Sequence, residues 1–159
     1  HGAPAVRSLL RFLATFGPVG SAPVAPATAA SAVVALIGWF LPVPPLALAL
    51  VLIAVGTALA VWIAGEAEKD LGHDAKPIVI DEAVGQSLAL LLVPHTVPAF
   101  AAAFVLFRIF DVWKPLGARE IQRLPGGLGV VADDVIAGLT ACGVFHLGAW
   151  AGRAMGWVA

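Results

Sequence analysis

The chain has 159 residues, of which 60% are hydrophobic and 12% charged, and its formal net charge at pH 7 is −1. Soluble proteins carry about 25% charged residues, so this composition argues against an ordinary soluble globule. A nearly neutral chain also lacks the basic field that binds nucleic-acid phosphates, and we therefore expect no nucleic-acid partner.

The charged residues are gathered into short stretches that separate long uncharged runs. Residues 12–65, 83–107 and 135–152 contain no Asp, Glu, Lys or Arg. A solvated surface helix would instead carry charges along one face at helical period. Uncharged runs of this length indicate helices that lie in a membrane. The sequence therefore predicts an all-α integral membrane protein, with residues 1–159 forming one membrane-embedded domain.

The first apolar region, residues 29–64, is interrupted at residues 41–45, which read LPVPP. A proline inside a helix removes a hydrogen bond and clashes with the preceding turn, at a cost of about 3 kcal/mol. These prolines therefore predict a turn between two helices. The second arm, residues 46–64, has close to the roughly 20 residues that a bilayer crossing requires. Residues 65–70, GEAEKD, are predicted to be a solvated loop.

Residues 83–107 repeat this arrangement around residues 94–98, which read PHTVP. Each arm has about 11 residues, or roughly 17 Å of helix, which is too short for a hydrocarbon core of about 30 Å. The alternatives are a shallow helical hairpin and one kinked span. We favour the hairpin, because two prolines four residues apart suit a turn better than a kink.

The last apolar run, residues 135–152, predicts a C-terminal transmembrane helix that ends at Arg153. The two hairpins place all the other basic residues on one side of the membrane, and the positive-inside rule makes that side cytoplasmic. These residues are Arg7, Arg11, Lys69, Lys76, Arg108, Lys114, Arg119 and Arg123.

Three polar motifs border the apolar runs and should meet at that membrane face: IVIDEAVGQ (residues 78–86), FRIFDVWKP (107–115) and GGLGVVADD (126–134). Close carboxylates repel one another unless protons or a cation offset their charge. Hard oxygen donors suit Mg²⁺, which also takes phosphate oxygens as ligands, and neighbouring basic side chains suit a bound phosphate. The residues in question are Asp81, Glu82, Asp111, Asp133, Asp134, Arg108 and Lys114.

Each motif also has a purely structural interpretation. Asp133 and Asp134 could cap the last helix, where Asp is favoured and complements the helix dipole, and the acidic pair of IVIDEAVGQ could do the same for its own helix. Asp111 could simply pair with Arg108 or Lys114, which are three residues away on either side. The joint placement of the three motifs is what favours a functional site.

In this order and spacing, IVIDEAVGQ, FRIFDVWKP and GGLGVVADDVIAG resemble the phosphatidylglycerophosphatase A family. The segment PVAPAT, residues 23–28, is similar to that family's Pro-Gly-Thr segment, and the resemblance covers residues 16–138. Ala27 and Ala30 depart from it, since the family usually has glycine there, but Thr28 and Ser31 remain.

The resemblance implies a Mg²⁺-dependent phosphatase of the bacterial cytoplasmic membrane. It would convert phosphatidylglycerophosphate to phosphatidylglycerol, with the active site facing the cytoplasm and membrane lipids as neighbours. Metal ligands would be Asp81, Glu82, Asp133 and Asp134; Asp111 would be a further ligand or the general base. The transferred phosphate would be held by Arg108, Lys114 and Thr28, and the residues expected to act in catalysis are Asp111, Asp134 and Lys114.

The residues themselves favour attack by water over a covalent enzyme intermediate. The chain has no Cys-x5-Arg loop and no Asp-x-Asp nucleophile motif, and Cys142 lies within an apolar run. Three other functions stay open: a phosphatase for another lipid phosphate, a small transporter and a membrane scaffold. A transporter would place ionisable residues inside the spans, and a scaffold needs no clustered carboxylates. The pattern predicts no oligomeric state.

Overall fold

A computed structural model of the chain describes residues 4–73, 75–114 and 118–156, which form a bundle of helices with no strand in these ranges. The predicted all-α architecture is thereby confirmed. The helices are α1 (Pro4–Ala14), α2 (Pro26–Phe40), α3 (Leu46–Leu71), α4 (Ile80–Ala89), α5 (Val97–Trp113), α6 (Ala118–Ile121) and α7 (Gly127–Ala154). A 3-10 turn, Val19–Ser21, lies between α1 and α2.

Both predicted proline turns are present. The proline-rich residues 41–45 separate α2 from α3, and residues 90–96 separate α4 from α5, two helices that pack against each other. The arms of the second hairpin are unequal, with 10 residues in α4 and 17 in α5. Because α5 continues to Trp113, Arg108 and Asp111 lie inside a helix, whereas Pro115 of the FRIFDVWKP motif lies outside the described residues.

The prediction of a solvated loop at residues 65–70 is wrong, because α3 continues through this segment to Leu71. Ala, Glu and Lys are strong helix formers, and an ion pair between Glu66 and Lys69 at i,i+3 spacing supports the last turns. The helix ends at Gly72, whose positive φ of 97° a glycine adopts without steric cost.

The helix-cap interpretation is wrong for Asp133 and Asp134, whereas Asp81 and Glu82 keep the predicted place at a helix start without a capping hydrogen bond. α7 begins at Gly127, eight residues before the predicted start, so that Asp133 and Asp134 lie two turns inside the helix. Asp81 and Glu82 lie in the first turn of α4, where the helix dipole favours them. Neither helix has a side-chain hydrogen bond at its N-cap.

The outer surface of the bundle is apolar. α3 and α7 have 26 and 28 residues and are long and apolar enough to cross a membrane. Only 11% of the most apolar stretch of α3 is buried within the bundle, unlike the core helix of a soluble protein. Large exposed apolar surfaces of this kind mark contact with lipid or a partner, and we therefore describe a helical membrane protein.

α4 forms the centre of the bundle, and it packs against α2, α3, α5 and α7. Seven of its ten residues are buried. Glycines allow the surrounding helices to come close: a Cβ atom added to Gly127 would lie 2.0 Å from the carbonyl oxygen of Val61, and one added to Gly85 would lie 2.4 Å from the ring of Phe107. This packing fixes the ends of α4, α5 and α7 that carry the acidic motifs.

Candidate metal and phosphate site

The structure brings all five predicted carboxylates together from three helices. Asp81 and Glu82 come from the first turn of α4, Asp111 from the last turns of α5, and Asp133 and Asp134 from the second turn of α7. All are buried except Asp111, which is half-buried. A single polar centre therefore lies at one end of an otherwise apolar bundle.

The carboxylates form two overlapping groups. Asp81, Glu82 and Asp134 each offer one oxygen atom, and these three atoms all lie within 4.8 Å of one another. Asp111, Asp133 and Asp134 form a second group under the same limit. Asp134 belongs to both groups, so the arrangement has the donors for two neighbouring cations that share one carboxylate. Oxygen-only donor sets of this kind suit Mg²⁺.

Several buried oxygen atoms of this centre lack a protein partner. Among the described residues, Oδ1 of Asp81, Oε2 of Glu82 and Oδ2 of Asp134 accept no hydrogen bond. A buried polar atom left unsatisfied costs about 1–3 kcal/mol, and a charged one costs more. A bound cation would satisfy these oxygens, so the residues present fit a metal site.

The pKa values of Asp81 and Glu82, in the first turn of α4, also support a cation site. Burial, followed by the negative charges of Glu82 and Asp134, raises the pKa of Asp81 well above its usual value. Burial also raises the pKa of Glu82 and outweighs a hydrogen bond with Asp81 that favours its charged form. Without a cation, these two carboxyls therefore keep their protons to a higher pH than free carboxyls do, and a metal ion would compete with those protons.

Two basic side chains contact the second group of carboxylates. Arg108 lies 3.0 Å from Asp111, and Lys114 forms an ion pair with Asp133 across the α5–α7 interface. Burial alone would lower the pKa of Lys114, but the hydrogen bond and charge of Asp133 prevail and raise it. The Arg108–Asp111 pairing expected from their spacing is thus present, within the site rather than on an exposed helix face.

The α2 helix supplies the edge of the site through Ser31. The guanidinium of Arg108 donates a hydrogen bond of 3.4 Å to Oγ of Ser31, which in turn donates to the carbonyl oxygen of Ala27. Thr28 is half-buried and lies three residues before Ser31, close to the same helix face. Its role in phosphate binding stays a prediction.

Gln86 is a candidate site residue that the sequence interpretation missed. It lies on α4 one turn after Glu82 and is fully buried. Both its amide nitrogen and its amide oxygen lack hydrogen-bond partners among the described residues. Buried polar groups are normally paired, so this amide is available to a ligand or a water of the site. In the sequence, the feature that could have indicated this residue is a single amide side chain within an apolar run.

Two histidines and the cysteine of the apolar runs contact carbonyl groups at the hairpin turns. Nε2 of His146 lies 2.9 Å from the carbonyl oxygen of Leu91, and the thiol of Cys142 is 3.7 Å from the same oxygen. Nε2 of His95 lies 2.8 Å from the carbonyl oxygen of Trp39, which joins the tips of the two hairpins. These contacts satisfy turn carbonyls, as expected for residues that pack rather than catalyse.

Comparison with known proteins gives a family match over most of the chain. Residues 12–149 match the family described as Phosphatidylglycerophosphatase A. This segment runs from the end of α1 through most of α7 and includes every residue of the acidic centre. No solved structure gives a significant match.

Three relatives are similar to this chain. A Bacteroides thetaiotaomicron protein, provisionally named a phosphatidylinositol-3-phosphatase, is 39% identical over 102 residues, 62% of this chain and 64% of that protein. Phosphatidylglycerophosphatase A of Escherichia coli is 32% identical over 130 residues, 80% of this chain and 76% of the relative. Phosphatidylglycerophosphatase A of Haemophilus influenzae is 36% identical over 95 residues, 58% of each chain.

Proposed function

The chain belongs to the phosphatidylglycerophosphatase A family, and on this premise we propose that it hydrolyses the terminal phosphate of phosphatidylglycerophosphate. The products are phosphatidylglycerol and inorganic phosphate. Two relatives that carry the name of this activity support the proposal. The observation that carries it is the pair of carboxylate groups that share Asp134, with Arg108 and Lys114 beside them.

The metal of this reaction is proposed to be Mg²⁺. Its ligands would be Asp81, Glu82, Asp133 and Asp134, whose carboxylate oxygens suit a hard divalent cation; those of Asp81, Glu82 and Asp134 include oxygens without a hydrogen bond among the described residues. When bound, Mg²⁺ offsets the charge of the phosphoryl oxygens and lowers the pKa of a coordinated water. Burial of the carboxylates keeps bulk water from weakening these electrostatic effects.

The remaining side chains orient the phosphate and move protons. Arg108 can present its guanidinium to phosphate oxygens from a position fixed by Asp111 and Ser31. Lys114 offsets negative charge from the end of α5, and Thr28 offers a hydroxyl. Asp111 is half-buried and is either a further metal ligand or the base that accepts the proton of the attacking water.

The site is proposed to face the cytoplasm from a multi-pass protein of the bacterial cytoplasmic membrane. The basic residues near the acidic centre support this orientation, because short loops rich in Lys and Arg stay on the cytoplasmic side. Single cysteines at Lys76 and Gly156, in a Cys142→Ala background, test it in whole cells. We expect an impermeant reagent to label only the Gly156 position; labelling of the Lys76 position would overturn this topology.

A second candidate substrate is a phosphoinositide carrying a monoester phosphate. The 39% identity to the Bacteroides protein named a phosphatidylinositol-3-phosphatase favours it. Both substrates present a phosphate monoester at the membrane surface. The acidic centre, with its two basic residues, recognises the phosphate that they share. Relative turnover of the two lipids therefore decides between them.

The test is phosphate release by purified protein in detergent micelles. The substrates are phosphatidylglycerophosphate, phosphatidylinositol 3-phosphate, phosphatidic acid and a soluble phosphomonoester, each with Mg²⁺ or with a chelator. We expect the highest kcat/KM for phosphatidylglycerophosphate and no release without divalent cation. Release that persists in chelator would remove the metal from the mechanism, and failure to release phosphate from any lipid would leave a transporter or scaffold.

A further inference from the structure

A long apolar groove between α2 and α5 leads away from the acidic centre. It has a volume of about 380 Å³. Its walls are small or aromatic: Ala32, Ala35 and Trp39 of α2 face Phe100, Ala101 and Phe104 of α5. The alanines leave space between the two helices, and Ala32 and Ala101 are exposed, so the groove is open to the surrounding lipid.

The groove begins within one helical turn of the proposed phosphate-binding residues. Ser31 directly precedes Ala32, and Arg108 lies one turn after Phe104 on α5. The hydrogen bond between Arg108 and Ser31 joins the two groove-forming helices at this end. A ligand whose phosphate contacts Arg108 therefore has an apolar channel directly behind it.

The far end of the groove is closed by aromatic rings at the hairpin tips. The ring of Trp39 meets that of Phe100 edge to face at a centroid distance of 5.3 Å, and it lies 4.4 Å from the ring of His95. The groove-lining residues of α5 run from Val97 to Phe104, about 10 Å of helix, and Arg108 lies about 6 Å further along. The two distances together are roughly half of the 30 Å hydrocarbon core, which is the depth of one leaflet.

We propose that this groove binds one acyl chain of the lipid phosphate substrate, with the chain extending from Arg108 and Ser31 towards Trp39. The inference rests on the proposed function, since it assigns the apolar part of the same substrate. The geometry commits to an acyl chain because the groove is apolar along its length, Arg108 lies one helical turn beyond its end, and the groove and Arg108 together span about one leaflet. A soluble phosphomonoester would make no use of it.

The groove can be filled without touching the acidic centre. Ala101→Phe places a ring in the groove from α5, and Ala35→Phe does so from α2. Ala102→Phe is the matched control, because Ala102 is exposed, adjoins Ala101 and does not line the groove. Thermal unfolding in detergent identifies any variant that fails to fold; should Ala101→Phe fail, Ala35→Phe serves in its place.

Activity and binding are then measured separately. For phosphatidylglycerophosphate with long chains, we expect Ala101→Phe to lower kcat/KM about tenfold through KM, equivalent to the loss of roughly two buried methylene groups. The deacylated headgroup phosphate should be hydrolysed by Ala101→Phe and the parent protein at equal rates. The Kd of a non-hydrolysable dialkyl lipid phosphonate should rise by the same factor, and Ala102→Phe should change neither value.

The activity and binding measurements distinguish failure of the acyl-chain site from failure of the proposed function. Equal losses for Ala101→Phe and Ala102→Phe, or an unchanged phosphonate Kd in both groove variants, would overturn the acyl-chain site. If the parent protein released no phosphate from any lipid, the proposed function would fail. Phosphonate binding would still decide whether the groove holds a chain.

Discussion

Gly138 of α7 and Gly85 of α4 meet backbone to backbone: a Cβ atom added to Gly138 would lie 2.3 Å from the carbonyl oxygen of Gly85. This contact lies one turn beyond Asp134 on α7 and one turn beyond Asp81 on α4. The close approach of the two backbones therefore sets how near the two carboxylates come, which the metal site requires.

We expect Gly138→Ala to separate α4 from α7, because its methyl group meets rigid backbone rather than a movable side chain. Overpacking of this kind typically costs about 1–3 kcal/mol in unfolding free energy. Activity should fall further than stability explains, since the carboxylates move apart. Unfolding in detergent and phosphate release measure the two effects.

Gly143→Ala is the control for this substitution. Gly143 lies on the same helix, and a Cβ atom there would meet no atom of the described residues within 4 Å. Alanine favours a helix over glycine by roughly 1 kcal/mol, so this variant should be at least as stable as the parent protein. If Gly138→Ala and Gly143→Ala had the same unfolding free energy and the same activity, the α4–α7 contact would not be tight.

Asp134→Asn tests the shared carboxylate, because it keeps the shape of the side chain and removes one charge from both groups. Substituting residues that only orient metal ligands typically costs about 10- to 100-fold in affinity or activity, so loss of a shared ligand should cost at least about 100-fold in kcat. Calorimetric titration should also show weaker Mg²⁺ binding. Asp70→Asn is the control, since Asp70 lies on α3 with a 3.9 Å ion pair to Arg7. Near-normal turnover of Asp134→Asn at saturating Mg²⁺ would remove this residue from the site.

The ion pair between Lys114 and Asp133 should couple the stability of α5 to that of α7. Lys114→Met takes the counter-charge from a buried carboxylate, and Asp133→Asn removes that carboxylate's charge. We expect a double-mutant cycle on unfolding to give a coupling energy of about 1–3 kcal/mol. The exposed pair Glu66–Lys69 is the reference cycle, for which we expect less than about 1 kcal/mol. Additive effects at Lys114 and Asp133 would contradict this role.

Local sequence rules predicted the turns between helices, because proline is disfavoured inside a helix whatever surrounds it. They also placed the acidic motifs at the ends of apolar runs. The start of α7 was misplaced because the glycine-rich GGLG segment resembles a loop, whereas Gly127 serves close packing of α7 on α3 and Gly129 close packing on the preceding turn. Burial and hydrogen-bond satisfaction are properties of the assembled bundle. For that reason the unsatisfied amide of Gln86 and the contact between Arg108 and Ser31 became visible only in three dimensions.

The raised pKa values of Asp81 and Glu82 make metal binding and stability depend on pH. Both are raised from ordinary values of 3.8 and 4.5, so the folded protein without metal binds more protons than the unfolded chain above about pH 4. The free energy of unfolding decreases as pH rises wherever the folded state holds more protons than the unfolded state. In chelator, we therefore expect Tm to decrease from about pH 4 until these carboxyls have lost their protons.

Mg²⁺ should reverse this trend, because it binds the deprotonated carboxylates and displaces the retained protons. The increase in Tm at a fixed Mg²⁺ concentration should grow as pH rises through the same range. Ligand binding to the folded state alone stabilises by RT ln(1 + [L]/Kd), so about 2.7 kcal/mol is expected at 100 times the Kd. Asp81→Asn should flatten both trends, whereas Asp70→Asn should leave them unchanged. A Tm increase that is independent of pH would show that Mg²⁺ binds elsewhere.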